Sequence, residues 1–352
     1  MNIRFYRRAA LSTGQLVAAI AFGGLFHSLG IPAGWLSGAI VGAIVWGAIL
    51  PSEVADEARL PRPLVEWAMI LAGVVMGAGI TPEALATIGA YPLSLLALLL
   101  AVVCVTLACT AFLMRFHGWR RDDAILASLP GALTAVLAVA VERKANLAPI
   151  AIVQSFRLLV LVALLPFLVS LTSDGDPRAL VGAGQDVAGP GAFALMVAAG
   201  LVVGLIFRRL GVAAPLLLGA TVASALLHVT EIAPGVVPPE IATAAFVVIG
   251  VFIGERFTTL ERRSLLPLFG AAFGVFAIGL VVSAGFALAT VLIVGVGTGE
   301  ALVAFAPGGL EAMIVLALVL GVDPLYVGVH HTVRFIGIGM ALPVMFRRDS
   351  PP

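Results

Sequence analysis

Long apolar segments alternate with short polar ones along the whole chain. In the first half, the apolar segments lie near residues 10–27, 32–50, 64–80, 91–114, 124–141 and 148–171. These lengths fall within the roughly 17–25 residues that cross a hydrocarbon layer as a helix. A helix satisfies its own backbone hydrogen bonds, which the bilayer interior requires. The pattern therefore predicts an all-α integral membrane protein.

Composition supports this class. Of 352 residues, 61% are hydrophobic and 11% are charged, and a mean hydropathy of +1.14 excludes a soluble fold. The net charge of +1 gives no basic patch for a nucleic acid. Cys104 and Cys109 share one apolar span without metal-ligand spacing. We therefore expect the lipid bilayer as partner, with no nucleic acid, no metal and no cofactor.

The chain carries an internal duplication. A block at residues 29–39 matches residues 210–220 at a shift of 181, and beyond it one shift of 177 holds without a gap. The pairs at that shift include Gly73/Gly250, Gly77/Gly254, Pro130/Pro307, Gly131/Gly308, Arg157/Arg334 and Pro166/Pro343. Small residues coincide often in an apolar chain, but a paired intramembrane arginine does not. We predict two homologous membrane repeats, 10–171 and 190–346.

The fifth apolar segment of each half is interrupted. Pro130 and Gly131 break residues 124–141, and Pro307, Gly308 and Gly309 break the copy at 301–320. If the fifth segment is a re-entrant hairpin, Arg178 is the one loop cation left outside. Because five crossings per half is an odd number, the second copy has the opposite orientation in the membrane to the first. This predicts an inverted repeat of about ten transmembrane helices and two broken re-entrant hairpins, with both termini cytoplasmic.

The breaks and the paired arginines are candidates for a substrate site. A helix that restarts after a break presents free backbone amides to an anion, and inverted-repeat transporters bind substrate where broken helices meet. Arginines inside a membrane line cavities, pair or bind something. The alternatives are a packing kink and a structural arginine tied to re-entrant carbonyls or to an acid. The predicted substrate-binding residues are Arg157, Arg334, Pro130, Gly131, Pro307, Gly308, Gly309, Gln154, Ser155 and Thr332.

The second half has ionisable residues where the first has neutral ones. Glu311, Asp323 and His331 stand in place of Thr134, Asn146 and Gln154. A buried carboxyl group and a histidine can exchange a proton near neutral pH. The predicted proton-coupling residues are Glu311, His331, His330 and Asp323. Each also has a structural interpretation: an acid complementing a helix dipole, a hydrogen-bonded histidine pair, and a cap before Pro324.

The repeated motifs carry a family resemblance. A Gly-x-x-x-Gly helix, a Pro-Gly-Gly-Leu-Glu segment at 307–311 and a His-His-Thr-Val-Arg-Phe segment at 330–335 resemble the bacterial AbrB-duplication family of integral membrane proteins. The resemblance implies a multi-pass protein of the bacterial inner membrane. The family has been labelled an ammonia monooxygenase and a regulator of gene expression. Adjacent histidines project about 100° apart on a helix, which does not make an oxygenase metal site.

These observations together favour a secondary transporter or permease for a small anionic solute, coupled to protons through Glu311 and His331, and not an enzyme. The alternative is a membrane-embedded sensor that regulates gene expression indirectly, because no basic reading element lies outside the membrane. The identity of the solute and the oligomeric state, a homo-oligomer included, are left open by the sequence.

Overall fold

The computed structural model describes residues 3–31, 33–51, 54, 56–78, 91–131, 133–171, 186–212, 214–258 and 262–346. Over these ranges the chain forms fourteen α-helices and one 3-10 turn, Asp56–Ala58. The helices are α1 Ile3–Ser28, α2 Gly34–Ile49, α3 Arg62–Ala78, α4 Tyr91–His117, α5 Arg121–Ser128, α6 Leu133–Glu142, α7 Leu147–Ser170, α8 Pro190–Arg209, α9 Pro215–Val229, α10 Pro239–Thr258, α11 Arg262–Val294, α12 Thr298–Phe305, α13 Leu310–Val319 and α14 Pro324–Met345.

The helical class predicted from the apolar pattern is confirmed. Six helices of the described chain are long and apolar enough to cross a bilayer, and they lie in α1, α4, α7, α8, α11 and α14. Three shorter apolar helices are α2, α9 and α13. The interrupted fifth segments are each two short helices, α5 with α6 and α12 with α13. The segment between the two predicted repeats, residues 172–189, lies largely outside the described residues.

The chain folds into two compact units, and each draws helices from both halves of the sequence. The first unit comprises Met1–Thr87, Pro166–Leu260 and Ile314–Leu325. Within it, α2 packs on α1 and α10, while α9 packs on α8 and α3. The second unit comprises Ile88–Leu165, Glu261–Met313 and Tyr326–Pro352, where α4 packs on α5 and α11, and α11 packs on α12. The two predicted repeats are thus not the same as the two spatial units.

Contacts in the first unit repeat at the offsets found in the sequence. A Cβ on Gly250 would lie 2.8 Å from the carbonyl oxygen of Leu36, and a Cβ on Gly73 would meet that of Leu217. The glycines differ by 177 and their partners by 181, which are the two shifts of the duplication. Helices that approach this closely need glycine, because any side chain would overlap the facing backbone.

The core of the second unit surrounds the first broken segment. Leu126, Ala127 and Leu129 are each at most 3% exposed, and they pack with Val136, Ala140, Ile150 and Val153. Residues of α4 and α11, including Cys109, Leu113 and Val275, complete this cluster. The polar backbone at the break is therefore enclosed by apolar side chains.

Gly254→Ala tests the close helix contact in the first unit. The added methyl would lie 2.8 Å from the Ile40 carbonyl oxygen and the Ala43 Cβ, and overpacking of this kind costs about 1–3 kcal/mol. We expect a lower melting temperature for the detergent-solubilised protein. Gly285→Ala is the control, because a Cβ there meets nothing within 4 Å. An unchanged melting temperature for Gly254→Ala would contradict the packing.

Candidate functional site

Both helix breaks lie in the second unit, and each leaves backbone carbonyl groups that need partners. The helices before the breaks, α5 and α12, have 8 residues each, or about 12 Å at the helical rise per residue. The last turn of any helix has carbonyl oxygens without intrahelical donors. Because both breaks are buried, these oxygens must be satisfied by the protein or by a ligand.

Arg334 satisfies the carbonyls after α12. Its Nη1 donates to the Ala306 carbonyl oxygen at 2.6 Å, and its Nη2 donates to that of Gly308 at 2.7 Å. The same Nη2 lies 2.6 Å from Nδ1 of His331. The side chain is 2% exposed. A guanidinium at the carbonyl end of a helix is also favoured by the helix dipole.

Arg157 has the matching place after α5, with weaker contacts. Its Nη1 donates to the Ser128 carbonyl oxygen at 3.4 Å and its Nη2 to that of Leu129 at 3.1 Å. Its Nε is buried without a hydrogen-bond partner. Leu129 precedes Ala306 by 177 residues, as Arg157 precedes Arg334. The structural interpretation left open by the sequence, an arginine tied to carbonyls at the break, describes both residues.

A second pair of side chains repeats at the same offset. Gln154 donates from Nε2 to the Leu126 carbonyl oxygen at 2.7 Å, and Nε2 of His331 lies 3.0 Å from the Val303 carbonyl oxygen. Gln154 and His331 are 3% and 1% exposed. Gln154 stands three residues before Arg157 on α7, and His331 stands three residues before Arg334 on α14. Each of the two side chains therefore reaches the same break as the arginine that follows it.

The partners of His331 fix its protonation. A carbonyl oxygen only accepts, so Nε2 carries the hydrogen that meets Val303. A guanidinium only donates, so Nδ1 must be the unprotonated acceptor for Arg334. His331 is therefore neutral in this arrangement. A proton on its Nδ1 requires the contact with Arg334 to break.

His330 is fully buried among polar and aromatic groups. Its Nδ1 lies 2.7 Å from the Tyr326 carbonyl oxygen and its Nε2 2.8 Å from the Ser94 hydroxyl. That hydroxyl also lies 3.0 Å from the Tyr91 carbonyl oxygen. The rings of Tyr326 and Tyr91 contact the imidazole, with centroids 4.0 and 6.0 Å away. The single Ser94 proton therefore has two acceptors within reach.

The two breaks lie next to each other. A Cβ on Gly131 would be 2.8 Å from the Gly308 carbonyl oxygen and 2.9 Å from Arg334 Nη2, and the positive φ of 85° at Gly131 also favours glycine. The guanidiniums of Arg157 and Arg334 each donate to carbonyl oxygens at these breaks. Neither pairs with a carboxylate of a described residue, because the ion pairs found there join Arg7 to Glu57 and Arg208 to Glu66.

Four other predicted residues lie on α7, on α13, on α14 and just before α14. Asp323 accepts the backbone amide of Leu325 at 2.8 Å, which is the helix cap that the sequence left as an alternative. Glu311 is half-buried in the first turn of α13, where an acid complements the dipole. Ser155 is buried and Thr332 is half-buried, and neither bonds to the two arginines. The roles of these four residues stay predictions.

Two polar groups were missed by the sequence analysis. Ser94 and the tyrosines around His330 lie on α4 and α14, and the signal for them was that Tyr326 stands one helical turn before His330. In the first unit, Glu255 is 8% exposed and accepts the Leu60 amide at 2.7 Å. An acid inside an apolar segment was its signal.

Arg334→Met tests the carbonyl contacts at the second break. The substitution leaves the Gly308 carbonyl without its donor, at about 1–3 kcal/mol, whereas the Ala306 carbonyl keeps the backbone amide of Gly308 as a donor. We expect a larger fall in melting temperature than for Arg157→Met, whose lost contacts are longer. Arg208→Met is the control, because its exposed ion pair is worth at most about 1 kcal/mol. Equal effects at 157 and 334 would show that the two arginines are not held differently.

Comparison with known proteins gives the family. Residues 35–348 match the family model described as "Transition state regulatory protein AbrB". The chain is also 25% identical to the Bacillus subtilis (strain 168) protein named "Uncharacterized protein YhjN", over 94% of this chain and 91% of that protein. The family match covers most of the described helices and both breaks. The chain therefore belongs to the AbrB family.

Proposed function

We propose that this AbrB-family chain is a secondary transporter or permease for a small anionic solute in the bacterial inner membrane. The observation that carries the proposal is the pair of buried guanidiniums at the junction of the two breaks. Each positive charge is surrounded by carbonyl oxygens, and neither is neutralised by a carboxylate of a described residue. A bound anion would offset the desolvation of two like charges.

The helices that follow the breaks support an anionic rather than a cationic solute. The carbonyl ends of α5 and α12 are occupied by Arg157 and Arg334. The next helices, α6 and α13, begin a few residues further along the chain, at Leu133 and Leu310, and their backbone amides lie at these ends. Free amides at a helix start favour negative charge. In α13 the acid Glu311 already lies in the first turn, so the two arginines and the amide end of α6 are the groups that favour an added negative charge.

We further propose that the repeats are inverted. Reciprocal contacts, in which one residue pair recurs between the equivalent residues of two copies, are typical of a two-fold relation. The contacts of Gly73 with Leu217 and of Gly250 with Leu36 are reciprocal in this way, because each joins a residue of one repeat to a residue of the other within the first unit. With re-entrant hairpins each half crosses the membrane an odd number of times, so the two-fold axis lies in the membrane plane, as in many transporters.

Proton coupling stays a prediction of this proposal. The neutral state of His331 links its protonation to release of Arg334, whereas His330 can exchange a hydrogen bond with Ser94 by rotation of one hydroxyl. Glu311 is the remaining candidate. A sensor that regulates gene expression is the competing function, and the description of the matched family names a regulator.

Flux measurements in proteoliposomes test transport. We expect the wild type to accumulate an isotope-labelled anion from a pool of small carboxylates and inorganic oxyanions when a pH gradient is imposed. Arg157→Ala should reduce flux at least about tenfold, the effect of one lost charged contact. Arg208→Ala, at an exposed ion pair, should keep it. A ligand that shifts the melting temperature of the protein, without flux of any anion, would favour the sensor function.

Cysteine labelling tests the topology. In a background with Cys104 and Cys109 replaced by alanine, Arg143→Cys should react with an impermeant maleimide from the cytoplasmic side. Glu231→Cys should react from the outside. Both residues are in the described chain, between helices. Labelling of position 143 from the outside would mean that the broken fifth segment crosses the membrane.

A further inference from the structure

The two arginines at the helix breaks are not equivalent, although their positions are related by the duplication. Arg334 has three short contacts, at 2.6, 2.7 and 2.6 Å, that involve two carbonyls and one imidazole. Arg157 has two contacts at 3.4 and 3.1 Å, and its Nε donor has no partner. The imidazole contact comes from the position three residues before the arginine, which is His331 in one copy and Gln154 in the other.

Gln154 is also incompletely satisfied. Its Nε2 meets the Leu126 carbonyl oxygen, but its Oε1 acceptor is buried without a hydrogen-bond partner. Gln154 and Arg157 are each 3% exposed and stand three residues apart on α7. A buried donor and a buried acceptor on the same helix face are thus both unpaired, which is costly unless something binds them.

We propose that Gln154 and Arg157 contact the anion directly, and that this anion carries a proton donor beside its charge. This inference rests on the proposed anion site and names the chemistry of its ligand. The anionic oxygen accepts from Arg157 Nε, and a hydroxyl or protonated oxygen of the same molecule donates to Gln154 Oε1. Arg334 holds the second break in shape and does not contact the ligand.

The ligand class follows from counting donors and acceptors. A fully deprotonated anion such as sulfate offers only acceptors and leaves Gln154 Oε1 unsatisfied. A hydrogen phosphate or a 2-hydroxy carboxylate offers both an acceptor and a donor. Sites with a buried group that needs a donor discriminate strongly against analogues that lack it.

Two matched probe pairs test the class: hydrogen phosphate against sulfate, both as dianions, and lactate against propionate. The two members of each pair carry the same charge and differ by one hydrogen-bond donor. The readout is the dissociation constant from the thermal shift of the full-length protein in detergent. We expect the donor-bearing member of at least one pair to bind about tenfold more tightly. If no probe shifts the melting temperature, neither atom contacts an anion of these classes and the proposal is wrong.

The duplication supplies the test variant. Gln154→His installs the side chain that the second half has at this place, where Nδ1 can accept from the arginine and Nε2 can donate to a carbonyl. We expect the ligand-free protein to melt about 2 °C or more higher, as for a newly satisfied contact, and the preference within the probe pair to disappear. An unchanged preference would overturn the proposal.

Gln154→Met keeps the test independent of that substitution. Methionine has a similar volume but lacks the Oε1 acceptor. The donor-bearing probe should therefore no longer bind more tightly, and the two probes of a pair should have similar dissociation constants. Arg208→Ala, which removes an exposed ion pair, is the control and should leave the ratio within the pair unchanged.

Binding and flux separate this inference from the proposed function. A donor preference that depends on Gln154, without flux of any anion, would refute transport and leave the ligand site standing. Flux that is indifferent to Gln154→His and Gln154→Met would support transport and refute the contact.

Discussion

A helix that ends inside an apolar core leaves carbonyl oxygens that cannot reach water, and the second unit of this protein depends on how that demand is met. Arg157 and Arg334 reach back from α7 and α14 to the ends of α5 and α12. The guanidinium group suits this task because it offers several donors in a fixed plane and stays charged when buried. The breaks and the arginines therefore belong to one arrangement, in which neither is stable without the other.

This arrangement places positive charge where the helix dipoles favour it, but it does not neutralise that charge. Carbonyl oxygens solvate a guanidinium without cancelling its charge, and the carboxylates of Glu57 and Glu66 pair with Arg7 and Arg208 instead. The two arginines therefore keep their positive charge after their hydrogen bonds are formed, and the proposed anion site rests on that charge. The structural role of the arginines, which the sequence set against a binding role, is compatible with binding because the two use different properties of the same group.

Duplication allows one copy to keep a feature while the other diverges. In the second half, His331 completes the contacts of Arg334 and is held neutral by them. In the first half, Gln154 satisfies the same carbonyl position, but its Oε1 does not accept from Arg157 and has no partner. The position before the arginine thus differs between a histidine that bonds to its arginine and a glutamine that leaves an acceptor unused. Small residues serve both copies alike, since Gly73 and Gly250 make equivalent close contacts.

The sequence by itself determined the helical membrane class, the approximate extent of the helices and the two interruptions, because hydrophobic length and the Pro-Gly breaks act locally along the chain. It predicted 91–114 and an interruption at Pro130, and the structure has Tyr91–His117 and a gap between α5 and α6. Only the tertiary structure decided that Arg334 meets carbonyls 26 and 28 residues away, that Asp323 caps α14 and that each compact unit combines both halves. These contacts form between separate segments of the chain. Hydrophobic periodicity carries no information about which donor will bond to a buried acceptor.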